Sequence, residues 1–215
     1  MGPPNAKIAI VGEQPGKNEA RHPHLGPFSG PAGHNLQECL QIAGISWSEL
    51  YRTNVIKDLD KPLSSYIEVR SGKNAKAIVT AMGERYIRDL ADELAAIRPN
   101  VIVAAGNVAL WSICSRIGIT SWRGSVLDST LLPGRKVIPT IHPATWTQEK
   151  LYENPGAYLN KYLVVLDLRK ARIESEYPEI RESPHKLTIA PTYYEAVGFI
   201  QQCITHGEYG DIIDY

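Results

Sequence analysis

Four short apolar runs punctuate the chain, and stretches of helical spacing separate them. Lys7–Val11 (KIAIV) is apolar without alternation and stops at Gly12, the pattern of a strand covered on both faces. His34–Ile45 follows with Leu36, Cys39, Leu40 and Ala43 at helical spacing, and Gly44 supplies a stop. Tyr51–Ile56 reads as a second strand. Gly83–Ile97 sets Ile87, Leu90, Leu94 and Ile97 on one face of a helix that Pro99 ends. Val101–Ala105 predicts a third strand, closed by Gly106 and followed by an apolar helix over Asn107–Ile117. Arg135–Ile141 predicts a fourth strand. A last helix over Pro155–Ala171 is expected to cover the sheet through Leu159, Leu163, Leu166 and the stem of Lys170.

Strand and helix in alternation predict an α/β fold: a three-layer αβα sandwich around a four-stranded, mostly parallel sheet. Ligands of such sheets bind beyond the carboxyl ends of the strands. The glycine-rich and polar segments fall at that edge. GEQPG (Gly12–Gly16) follows the first strand, Thr53–Asn54 ends the second, and IHPAT (Ile141–Thr145) follows the fourth. Three segments far apart in sequence are therefore expected to meet in space.

This domain is expected to span residues 1–172. Residues 173–186 are polar, carry two prolines and read as a linker. Residues 187–215 resume with a strand-like Leu187–Ile189, a helical Thr192–Thr205 and a strand beginning at Asp211–Tyr215. A strand, a helix and half a strand cannot bury a core of their own.

Composition narrows the classes. Of 215 residues, 43% are apolar and 21% charged, the balance of a globular domain. No apolar run approaches the roughly 18 residues of a membrane helix. MGPPNAK enters the first strand without a signal peptide's regions, so a cytoplasmic setting is expected; the expected assembly is a monomer. The net charge of +0 argues against a dedicated DNA-binding domain but not against an enzyme that grips a few phosphates. The three cysteines, Cys39, Cys114 and Cys203, lie far apart without metal-ligand spacing and read as buried thiols.

The motifs resemble the uracil-DNA glycosylase superfamily, in particular its family 4 branch. The likeness covers about Lys7 to Ala171. It rests on GEQPG with Glu19 three residues on, GPFSGPAG (Gly26–Gly33), TNVIK (Thr53–Lys57), RPNVIVAAGNVA (Arg98–Ala109), WRG (Trp122–Gly124) and VIPTIHPAT (Val137–Thr145), in the family's order. The resemblance implies an enzyme that flips deoxyuridine out of DNA and hydrolyses its N-glycosidic bond, leaving an abasic site. It implies Phe28 as the aromatic under the base and Asn54 as the reader of its Watson–Crick edge. It implies His142 as donor to uracil O2 as charge builds there, and Glu19 as the neighbour of C5. Gly12, Pro15 and Gly16 would let the backbone approach the base. Gln14, by its carbonyl, and Glu13, as a nearby carboxylate, are candidates for holding the attacking water. Lys57, Arg123 and Lys150 are candidate phosphate contacts, and Trp146 a candidate wedge into the duplex. Each also has an ordinary structural reading, as a capping, core or solvated residue.

The chain departs from the pattern in two places. Members of this branch commonly hold an iron–sulfur cluster on four cysteines, one of them just after the TNVIK-like segment. Here Asp58–Leu59–Asp60 follows, and no cysteine pair precedes the first strand, so no cluster and no other cofactor are expected. GEQPG also resembles a branch that traps DNA covalently through a histidine in a loop after the second strand. The corresponding residues 61–76 contain none, so turnover is expected.

The tail is compatible with a further resemblance. Some bacteriophage polymerases join a glycosylase-type domain to a 3′–5′ exonuclease and a family A polymerase, and residues 187–215 fit the opening of such an exonuclease. A catalytically weak or inactive module that binds DNA or senses uracil in a replication polymerase therefore stays open beside the enzyme, as does a nucleotide-handling α/β enzyme of other chemistry.

Overall fold

The computed structural model describes residues 1–58, 60–181 and 192–206. The chain divides into two units, Met1–Ile180 and Arg181–Tyr215. The first holds strands β1 (Ile8–Gly12), β2 (Leu50–Asn54), β3 (Ile67–Arg70), β4 (Lys76–Val79), β5 (Val101–Ala105), β6 (Leu127–Asp128) and β7 (Lys136–Thr140). Its helices are α1 (Lys17–Arg21), α2 (Pro31–Ala43), α3 (Ala81–Ile97), α4 (Asn107–Cys114), α5 (Ile119–Trp122), α6 (Gln148–Glu153) and α7 (Leu159–Glu174). In the second unit α8 (Tyr193–His206) falls where helical spacing is expected. The strands expected at Leu187–Ile189 and Asp211–Tyr215, and with them the exonuclease-like opening, lie outside the described residues.

The central sheet runs β2-β1-β5-β7-β6. The first four strands are parallel and are the four expected from the apolar runs. The expectation of four strands needs one correction: β6 adds a fifth, antiparallel to β7 at the edge. Two residues are too few to show a pattern in the sequence. A separate antiparallel hairpin, β3–β4, also occupies residues read as a loop. Its strands are short and half-exposed, so neither carried a continuous apolar run.

Alternation along the strands builds two cores. Ile8, Ile10, Val101, Val103 and Ile138 point to one face, where Leu36, Cys39 and Leu40 of α2 and Val164, Val165 and Leu168 of α7 cover them. Ala9, Val11, Ile102, Ala104 and Val137 point to the other, under Leu90 and Leu94 of α3, and under α4. Both layers of the sandwich follow from this period of two.

The helix ends obey local chemistry. Pro31 opens α2, and Gly44 closes it in the left-handed conformation at φ 72°. Thr80 caps α3 by accepting the Gly83 N–H at 3.2 Å. The expected face of α7 needs correction. Val164, Val165, Leu168 and Ala171 are its buried side, while Leu159 and Leu166 are exposed. Leucines every three or four residues suggested the wrong stripe, because two adjacent valines had already taken the sheet-facing side.

The helix also runs to Glu174, beyond the boundary expected at 172. Lys136, fully buried at the start of β7, donates to the carbonyls of Glu174 and Tyr177 at 2.6 and 2.7 Å and to the Glu174 carboxylate at 3.1 Å. A buried ammonium with three acceptors fastens this stretch to the sheet.

Candidate active site

Register decides where the motifs go. β1 pairs with β2 so that Gly12 lies opposite Asn54. β5 pairs Val11 with Ala104, and Ala105 with Thr140 on β7. Gly12, Asn54 and Thr140 therefore end at one level on one rim of the sheet. GEQPG, Asn54 and the loop after Thr140 meet there around a cavity of about 480 Å³, whose wall includes Gln14, Glu19, Phe28, Asn54 and His142. A cavity of about 630 Å³ opens at the opposite strand ends, beside Lys7, Gly44 and Arg172. It gathers none of the motif residues.

Close packing at the rim explains two glycines. A Cβ on Gly12 would overlap the Asn54 side-chain carbonyl and lie 2.8 Å from Phe28 Cζ. Phe28 itself adopts φ 62°, a left-handed conformation rare for a bulky side chain. A Cβ on Gly33 would overlap the Phe28 carbonyl, so this first turn of α2 closes directly against the strained residue. Glu19 holds the same segment from the other side. Its carboxylate accepts from the Gly16 N–H and, at 3.1 Å, from the Ser29 N–H.

His142 is oriented by its main chain. Pro143 keeps it extended, at φ −67° and ψ 129°. Its Nδ1 accepts the Ala144 N–H at 3.2 Å, and its carbonyl accepts the Thr145 N–H at 3.0 Å. A nitrogen that accepts carries no proton. Desolvation pushes the imidazole pKa down from its ordinary 6.5, against the opposing charges of Glu13 and Glu19. At neutral pH the ring is uncharged with its proton on Nε2. It lies 28° from parallel to Phe28, with centroids 6.2 Å apart.

Asn54 is buried, and its side-chain amide makes no hydrogen bond among the described residues. Gln14 is tied at one end only. Its Nε2 donates to the carbonyls of Asp58 at 2.7 Å and Lys61 at 2.9 Å. Glu13, the nearby carboxylate, is engaged by main chain. Its carboxylate accepts the Val108 N–H at 3.2 Å, over the start of α4, and reaches His142 through its field.

The family model of the Uracil DNA glycosylase superfamily matches residues 1–166. The chain belongs to this superfamily. It is 32% identical over 170 residues to a Type-4 uracil-DNA glycosylase of Thermotoga maritima, covering 78% of this chain and 77% of that one. It is 31% identical over 200 residues to a Type-4 uracil-DNA glycosylase of Sulfurisphaera tokodaii, covering 90% and 75%. A DNA polymerase of Bacillus phage SP01 is 27% identical over 157 residues, which are 72% of this chain and 15% of the polymerase.

Within this superfamily fold, Phe28, Asn54, His142, Gln14, Glu19 and Gly16 share one cavity wall, with Gly12 and Pro15 beside it. Three outer residues named as candidates have partners within the protein. Trp146 is 2% exposed and packs in the core with Phe28, Leu36 and Val164, because the short turn Pro143–Trp146 folds it inward; it is no wedge. Arg123 is spent on Asp167, through two hydrogen bonds of 2.6 and 3.2 Å, and on the Leu163 carbonyl at 2.8 Å. Lys57 pairs with Glu93 and donates to Thr53. Both cations are held in ion pairs. Lys150 is exposed and pairs with Glu153 at 3.0 Å.

Two residues at the mouth escaped the sequence reading. Lys17 lines the cavity and makes no ion pair among the described residues. Its place directly after GEQPG was the available signal. Tyr152, 82% exposed on α6, borders a groove that shares Pro31 and Ala144 with the cavity. Nothing in the sequence separated it from a core aromatic. No described helix is long and apolar enough to cross a membrane.

Proposed function

We propose that the chain is a monofunctional uracil-DNA glycosylase, hydrolysing the N-glycosidic bond of flipped-out deoxyuridine. The observation that carries this reading is His142, whose Nδ1 accepts the Ala144 N–H, at one cavity with the Asn54 amide and the Phe28 ring. Phe28 stacks the base, an interaction worth about 1–3 kcal/mol. Asn54 accepts from N3–H and donates to O4; cytosine reverses both groups. As the N1–C1′ bond breaks, its electron pair moves onto the uracil, and the His142 Nε2–H meets the charge growing on O2. Water bonds to C1′ and loses a proton, which in the end neutralises the departing uracil anion. The free carbonyl end of the Gln14 amide holds that water, and Glu13, through its field, favours the positive sugar. Glu19 bounds the side where thymine carries its methyl.

We also propose that the reaction needs no iron–sulfur cluster. Four thiolates are required, and the sequence has three cysteines. Cys39 and Cys114 are buried on opposite faces of the sheet, and burial pushes their thiols up to about 11 and 12. The described residues contain no group of three or more His, Cys, Asp or Glu suited to a metal. The residues present do not fit the cluster. A purified protein without a visible absorbance band agrees with this, and a brown one contradicts it.

The likeness to a segment of a phage DNA polymerase favours a second reading, a module that senses uracil beside polymerase domains. Incubation with a uracil-containing oligonucleotide followed by alkali separates the two. Cleavage at uracil supports the enzyme. Binding of uracil DNA over thymine DNA without cleavage supports the sensor.

A further inference from the structure

Asp58 follows the TNVIK segment and joins three elements. Its Oδ1 accepts from the Tyr66 hydroxyl at 2.7 Å and its Oδ2 from the Tyr86 hydroxyl, while its main-chain carbonyl accepts from Gln14 Nε2 at 2.7 Å. Tyr66 opens the β3–β4 hairpin and Tyr86 stands on α3; their rings meet edge to face at 5.6 Å. Tyr66 is buried, and its carbonyl accepts the Thr80 N–H at 3.0 Å, at the cap of α3. Two rigid elements thus hold the Asp58 side chain, and the same residue's main chain holds the Gln14 amide. The Gln14 amide nitrogen is held between this carbonyl and that of Lys61.

We propose that Asp58 is a positioning residue: fixed by Tyr66 and Tyr86, its carbonyl sets, together with that of Lys61, the orientation of the Gln14 amide at the wall of the base cavity. The proposal rests on the reading of Gln14 as holder of the attacking water. The chemistry favours a carboxylate at this position. Two phenol donors need two strong acceptor lobes, which an ionised aspartate provides at once. Those hydrogen bonds, Tyr86's first, hold the Asp58 carboxyl below its ordinary range and push both tyrosines up to about 12, so the node keeps one protonation state around neutral pH.

The test has two arms. In 15N–1H spectra the Gln14 side-chain amide pair is assigned by its loss in Gln14→Ala. Its protons should be protected from exchange in the wild type. They should shift and exchange freely in Asp58→Ala and in Tyr86→Phe, although Tyr86 does not touch Gln14. In the kinetic arm, kcat on a uracil oligonucleotide should fall about tenfold in Asp58→Ala with KM little changed, since misplacing a reacting group costs rate rather than binding. Asp58→Asn should restore part of it. Added to Gln14→Ala, Asp58→Ala should cause no further loss, because the two act as one unit. Unchanged Gln14 signals in both variants overturn the proposal, as does a full additional loss in the double variant. If Asp58→Ala does not fold, Tyr86→Phe carries both arms. If the wild type releases no uracil, the glycosylase reading fails and the spectra still judge the role of Asp58.

Discussion

The proton on His142 is placed by two neighbours. Ala144 supplies an N–H that only an unprotonated Nδ1 can accept, and desolvation favours the neutral ring. The folded pKa lies below the unfolded one, so as pH falls through about 6.5 the unfolded chain takes up the proton first. Activity should stay level through neutral pH, and both stability and activity should decline on the acid side; a rise in activity below pH 6 would contradict this assignment. Asn54 works by the same logic of donors and acceptors. Asn54→Asp keeps the shape and loses the donor to O4, which should lower uracil kcat/KM by about 1–3 kcal/mol in transition-state terms. An unchanged preference for uracil over cytosine would remove Asn54 from the reader's role. At this scale the sequence was most informative where a residue does its own chemistry. That Phe28, Asn54 and His142 would come together was legible from their motifs, and they line one cavity. The places of Glu13, Arg123, Lys57 and Trp146 were not legible, because each is decided by a partner remote in sequence: the Val108 N–H, Asp167, Glu93 and the core under α2 and α7.

Elements set how firmly the rim is held. Arg123 closes the segment before β6 onto α7 through Asp167, which also accepts from Thr140 at 2.7 Å, two residues before His142. Removing one partner leaves a buried charge alone. Arg123→Ala should therefore destabilise the fold by about 3 kcal/mol, near the lower end for such pairs because the arginine is one-fifth exposed. Chemical denaturation measures this, and a change under about 0.5 kcal/mol would class the pair with surface bridges. The long elements were legible because their apolar period is unambiguous: the four parallel strands, α2 and α3 fall within a few residues of their expected places. Short ones were not. β6 has two residues, the hairpin strands four each, and α1, α5 and α6 six or fewer, all shorter than the window in which a period can declare itself.

For the molecule as a whole, parallel order and register matter more than charge. Strand ends brought level by pairing collect Gly12, Asn54 and the His142 loop at one rim, and that much followed from strand-helix alternation before any geometry was known. The neutral total charge is matched by sparse free cations. With Lys57, Arg123 and Lys150 in ion pairs, Lys17 is the cavity-lining lysine with no ion pair among the described residues, so log affinity for duplex DNA should fall against log salt with a shallow slope of about −1 to −2. A slope steeper than about −5 would reveal a larger basic surface than this site provides. The central claim is that a neutral His142 at a base-reading cavity breaks the glycosidic bond of deoxyuridine. Single-turnover cleavage of a uracil-containing oligonucleotide, developed with alkali and run beside a thymine control, tests it most directly. The wild type should cut at uracil alone, and His142→Ala should be slower by about 10²–10³-fold. A wild type that leaves the uracil strand intact, or a His142→Ala variant that cuts it equally fast, would contradict the claim.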